Sequence, residues 1–70
     1  MKAKYKVWSD SESDLRPRGD CYFENILDAT DYASMWVHMY DGSHLRAILH
    51  VEDVELGETL DTVENFIKTE

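Results

Sequence analysis

Cysteine is nearly missing from this 70-residue chain: Cys21 stands alone, so no disulfide can form within it. Long apolar runs are missing too. Stretches such as Ala47-Ile48-Leu49 fall far short of the ~20 residues that a membrane-spanning helix needs, so no membrane partner is expected. There is no Gly-rich phosphate loop, no closely spaced cysteine pair for a metal and no Gly-x-Ser-x-Gly elbow, which removes the strong signals of catalysis and of a cofactor. No repeat or low-complexity tract is present. The opening Met1-Lys2-Ala3-Lys4-Tyr5 carries no apolar run of the signal-peptide kind, so the expected compartment is the cytoplasm.

Basic residues are scarce after position 18. Residues 1–18 hold Lys2, Lys4, Lys6, Arg16 and Arg18 against Asp10, Glu12 and Asp14, whereas residues 19–70 hold twelve acids against Arg46 and Lys68. The net charge of −8 is therefore a small positive leading edge on a body of net −10. Such a body repels nucleic-acid backbones and is drawn to basic protein surfaces, including grooves that hold DNA or RNA, although acidity also simply keeps a small protein in solution. Seventy residues suit one domain, 1–70, of modest stability, for which pairing with a second copy is a natural reinforcement.

Hydrophobic patterning predicts an α+β domain: a small antiparallel sheet in the order strand, strand, helix, strand, strand, with the helix packed on one face. Residues 2–8 alternate, with Ala3, Tyr5 and Val7 on one side and Lys2, Lys4 and Lys6 on the other. Residues 9–20, polar and containing Pro17 and Gly19, predict a mobile connection. Residues 21–27 predict a second strand, paired antiparallel with the first. Asp28-Ala29-Thr30-Asp31 offers N-cap residues for a helix ending near Tyr40, where Asp41-Gly42 stops it. Ala29, Ala33, Trp36, Val37 and Tyr40 share the arc that should meet the sheet. Residues 44–52 alternate again, with Leu45, Ala47, Leu49 and Val51 inward and His44, Arg46, Ile48, His50 and Glu52 outward. Beyond the Gly57 turn, Leu60, Val63, Phe66 and Ile67 have helical spacing, but Gly57-Glu58-Thr59 suits a returning hairpin and a fourth strand is preferred.

Several residues are decoys. His44 and His50 share a strand face but lie about 20 Å apart along an extended chain, too far to hold one metal ion. Arg18-Gly19-Asp20 matches a cell-adhesion tripeptide, yet Gly19 is better read as a turn residue. Asp20 and Glu24 would raise the pKa of Cys21, which suits a small core residue.

Three features are candidates for binding. The acids Glu52, Asp53, Glu55, Glu58, Asp61 and Glu64 cluster on the proposed hairpin, and acids two apart on a strand are ~6.6 Å apart, comparable with a phosphate backbone. The plainer role of such charges is to protect a sheet edge. Tyr32, Met35 and Met39 form a stripe on the helix flank that suits a partner or a dimer. The lysine-bearing face of the sheet, with Trp8 or Tyr22 among its bases, has the makings of a single-strand nucleic-acid platform that the net charge opposes.

Lys4-Tyr5-Lys6-Val7-Trp8, Ile26-Leu27-Asp28-Ala29-Thr30-Asp31-Tyr32-Ala33 with Trp36-Val37, Val51-Glu52-Asp53 and Gly57-Glu58-Thr59 together resemble the small acidic proteins of bacteriophages and mobile elements, among them anti-CRISPR and anti-restriction inhibitors. That resemblance implies a viral, non-catalytic protein acting in the cytoplasm of a bacterial host. It would bind a host nucleic-acid-processing complex through a basic surface of that complex, without touching nucleic acid itself. A second resemblance is to antitoxins of the HicB kind, which also open on a lysine-flanked strand. The Pro- and Gly-containing segment expected before their helix is missing, and no DNA-binding segment is appended. A regulatory nucleic-acid binder of that sort and a structural homodimer stand as alternatives.

Overall fold

A computed structural model describes residues 3–69. Five elements follow one another: β1 (Tyr5–Ser9), β2 (Cys21–Phe23), α1 (Ile26–His38), β3 (Ile48–Asp53) and β4 (Glu58–Glu64). The strands form one antiparallel sheet in the order β2-β1-β3-β4, and α1 lies across one face and touches all four strands. This is the α+β arrangement that the patterning predicts. Lys2 lies outside the described residues.

Packing on the helix side follows the two periods. Val7 faces α1 from β1, and Leu49 and Val51 face it from β3, all essentially inaccessible to water. Ala29, Ala33 and Val37 come down onto them from successive helical turns, and their small side chains let the helix axis lie close to the strands. Tyr5, Cys21, Phe23, Tyr32, Trp36, Tyr40 and Val63 close the rim of this core. Cys21 is therefore the small packing residue expected of it.

Local polar bonding moves three boundaries away from the expected ones. The second strand stops at Phe23, short of Leu27, because Asn25 caps the helix: its backbone is extended (φ −118°, ψ 131°) and its Oδ1 accepts from the Leu27 N–H at 2.7 Å. The cap is thus Asn25, ahead of the Asp28–Asp31 group, and Ile26 and Leu27 become an exposed first helical turn. The third strand begins at Ile48 and not at His44, since the preceding backbone is bonded sideways. Arg46 N–H donates to Asp14 Oδ2 (2.9 Å) and Ala47 N–H to Asn65 Oδ1 (2.9 Å). Leu45, expected inward, is exposed as a result.

Residues 9–20 do not hang free as a mobile connection. Asp10 N–H donates to Ile48 O, and both Asp14 and Leu15 N–H donate to Arg46 O, so the segment continues the pairing of β1 along the chain leading into β3. Ser13 is buried there, its hydroxyl donating to Leu15 O (2.6 Å) and accepting from Ile48 N–H (2.9 Å). This cover explains why Ile48, on the face away from the helix, is only 6% exposed.

The last element is a strand, as preferred over a helix. Its pairing with β3 runs Ile48↔Glu64, Leu49↔Val63, His50↔Thr62 and Val51↔Asp61, then slips to Glu52↔Thr59 and Asp53↔Glu58. Leu60 is left unmatched as a β-bulge.

Candidate interaction surfaces

The six hairpin acids do not form one row, because the bulge changes which side Glu58 takes. Side chains alternate across a strand, so an unbroken register would put Glu58 with Glu52 and Glu64 on the face away from the helix. The extra residue at Leu60 instead pairs Glu58 with Asp53, on the same side as Asp61, leaving Glu52 and Glu64 on the other. Glu55 sits in the turn between β3 and β4, where Leu56 N–H donates to Asp53 Oδ1 (3.0 Å) and Gly57 has the positive φ (69°) that the reversal requires.

Every residue from 54 to 62 is exposed. Val54, Leu56 and Leu60 are among them, so apolar side chains are interleaved with carboxylates along the outer half of the hairpin. Two of the acids have basic neighbours. Glu64 lies 3.4 Å from Arg46, which also reaches Glu12 at 3.5 Å, and Glu52 is the cross-strand neighbour of Lys6. Asp53 and Glu58, by contrast, oppose one another directly, an arrangement that costs stability.

The helix-flank stripe divides. Tyr32 turns down onto Phe23, with ring centroids 5.4 Å apart, and belongs to the rim of the core. Burial, and then the Cys21 thiol beside it, push its hydroxyl up to about 12. Met35 and Met39, one turn apart, are left standing in solvent at 72% and 66% exposure. They supply an adaptable apolar patch without the tyrosine.

On the sheet face away from the helix, two of the bases stand among acids. β1 and β3 are neighbours, but Lys6 is flanked by Asp20 at 3.4 Å and by Glu52 across the strand. Arg46 is held between two glutamates, and His44 lies outside the strand. At its centre His50 packs at a tilt of 42° against Trp8, with centroids 4.5 Å apart, and bridges the 9–20 segment and β4: Nε2 lies 2.6 Å from Asp10 Oδ1 and Nδ1 2.8 Å from Thr62 Oγ1. The Glu12 backbone N–H, at 2.8 Å from Asp10 Oδ2, and then His50 hold the Asp10 carboxyl below its usual value.

Hydroxyl, imidazole and carboxylate stand here in the order of a nucleophilic relay. The backbone N–H of Thr62 donates to Asp61 Oδ1 (2.9 Å). The trio works as a cross-brace that ties the 9–20 segment, β3 and β4 together. Among the described residues no group of three or more His, Cys, Asp and Glu side chains is placed to hold a metal ion.

Asn65 is a functional residue of the fold that pattern reading passes over. It is 4% exposed, accepts from Ala47 N–H, and donates from Nδ2 to Tyr40 O (2.7 Å) and Leu45 O (3.0 Å). It thereby joins the helix exit to the base of the hairpin. Next to it Asp41 accepts from Phe66 N–H (2.8 Å) and from His38, contacts that lower its carboxyl, the backbone donor first.

None of the described helices is long and apolar enough to cross a membrane. Comparison with known protein families, with characterised proteins and with solved structures finds no match for this chain.

Proposed function

We propose that this protein is a non-catalytic inhibitor that seats the outer half of its β3–β4 hairpin on a basic surface of a host nucleic-acid-processing complex, of the kind used in bacterial defence, in the cytoplasm of that host. The observation that carries this reading is the hairpin itself. Residues 54–62 are all exposed, apolar and acidic side chains alternate there, and Asp53 and Glu58 are opposed at a cost that a purely structural turn would avoid. Exposed apolar side chains rimmed by charge suit an interface, and the carboxylates steer it toward a basic partner. Met35 and Met39 add a second contact on the far side of the helix.

Glu55, Glu58 and Asp61 are the residues to reverse, since each is exposed and makes no ion pair among the described residues. The Glu55→Lys/Glu58→Lys/Asp61→Lys protein is expected to fold as the parent does and to lose partner capture, and the parent's capture should weaken as salt rises. A triple variant that captures its partner as well as the parent does would sink the reading. The nucleic-acid alternative draws less support, because Lys6 and Arg46 are already neighboured by carboxylates. Filter binding of single-stranded RNA and DNA at low salt tests it, with no retention expected.

A further inference from the structure

In the strand order β2-β1-β3-β4 the two outer strands are β2, with three residues, and β4, with seven, and among the described residues no strand pairs with the far edge of β4. The backbone of β4 alternates in what it faces. Asn65 N–H donates to Ala47 O, so in an antiparallel ladder the N–H and C=O groups of Val63 and Asp61 also turn to β3, and those of Thr62 and Glu64 turn outward. The Thr62 N–H agrees with this, because its acceptor is a side chain of its own strand, Asp61 Oδ1. The Leu60 bulge ends the regular stretch, which leaves residues 61–64 as a short template for another strand. Lysine and proline are common guards of such an edge; β4 carries neither, and its charged side chains are all acids.

The side chains along this edge select what can pair with it. Asp61 stands on the helix side of the sheet and Glu64 on the other, both exposed, so an added strand meets a carboxylate on each face. A second copy of β4 would bring Glu58, Asp61 and Glu64 of both chains to one seam, where like charges oppose pairing. A strand with lysine or arginine three residues apart instead places one base against each acid, since positions an odd number apart face opposite sides.

We propose that β4 receives an extended basic segment of the partner as a fifth strand, with main-chain hydrogen bonds to Thr62 and Glu64 and bases against Asp61 and Glu64 on the two faces. This rests on the hairpin reading above and deepens it, by making the basic element of the partner a strand. In such strand addition the main-chain bonds supply affinity and the alternating side chains supply the choice of partner. The Asp61 carboxylate, which holds the Thr62 N–H in the free protein, turns to a base when an incoming carbonyl takes that donor.

The probe is the blocked peptide acetyl-Thr-Lys-Thr-Val-Lys-Thr-amide, set against the same peptide N-methylated at its four central residues. N-methylation keeps every charge while it removes main-chain donors and crowds the edge. The ¹⁵N-labelled protein is titrated with each at low salt, and amide hydrogen exchange is read at saturation. The unmethylated peptide is expected to bind with a dissociation constant of about 1 mM or tighter and to slow exchange at Thr62 and Glu64 more than at other exposed amides. N-methylation should weaken binding about tenfold or more. Equal binding of the two peptides overturns strand addition and leaves the acidic-hairpin reading in place, whereas partner capture that survives reversal of Glu55, Glu58 and Asp61 sinks that reading itself. No binding, or binding that leaves the Thr62 and Glu64 amides unchanged, also overturns strand addition. Slowed exchange at those amides that grows with protein concentration alone assigns the edge to a second copy and overturns it as well.

Discussion

The two faces of the sheet are built on different principles. On the helix side Val7, Leu49 and Val51 meet Ala29, Ala33 and Val37, and shape and water exclusion hold the contact. On the other side the holding groups are polar and specifically partnered: His50 with Asp10 and Thr62, Ser13 with Ile48 and Leu15, and Lys6 with Asp20. Burial of apolar area is additive and tolerant of detail, whereas a polar brace depends on each partner being present. The helix side should therefore set the stability of the domain, and the outer side should set how the 9–20 segment and the hairpin are held.

The largest effect should come from the helix side. Leu49→Ala empties the largest fully buried side-chain site, and a loss of about 2–5 kcal/mol is expected in urea unfolding. For a domain of this size that approaches the whole of its stability. Asn65→Ala should rank second at about 1–3 kcal/mol, since it strands the Ala47 N–H and two carbonyls at the base of the hairpin. If it cost as much as Leu49→Ala, the division of labour between packing and polar bracing would fail.

Acid should act on the polar contacts. The Asp10 and Asp41 carboxyls lie below the usual 3.8 in the folded state, so their stabilising contribution is complete above that value and is lost as pH falls through their lower folded values. Urea midpoints should hold steady down to about pH 4 and decline below it, and Asp10→Asn should flatten part of that decline. The smallest effect has the opposite sign. Glu58→Lys replaces a like-charged pair with Asp53 by an opposite one and should raise stability by about 0.2–1 kcal/mol, a gain readable as a higher urea midpoint. A variant that is more stable yet poorer at binding separates recognition from folding.

The same contrast explains what was legible in the amino-acid sequence. Alternation and helical spacing report apolar faces, so Ala29, Ala33, Val37, Leu49 and Val51, the element order and the preferred fourth strand were readable. Asn65 and Ser13 were not, because their partners are reached across 18 to 35 residues and nothing in their neighbours marks them. Asn25 was hidden because Tyr22-Phe23 before Glu24 and Ile26-Leu27 after it read as one continuing strand. The acids of the hairpin were visible as a cluster because they are close in sequence, but their division between two sides depends on the single unmatched residue Leu60, and no local pattern announces a bulge. The lysine alternation was also readable, while the ion pair of Lys6 with Asp20 and its place opposite Glu52 exist only in the folded sheet.

The most direct test of the account is affinity capture from bacterial lysate at physiological salt, with tagged parent and the Glu55→Lys/Glu58→Lys/Asp61→Lys variant side by side, each with and without nuclease and read by mass spectrometry. The account predicts that the parent retains a nucleic-acid-processing complex after nuclease treatment and that the variant does not. Capture that vanishes with nuclease, or that the variant matches, would contradict it, and recovery of only the protein itself would point to the homodimer instead.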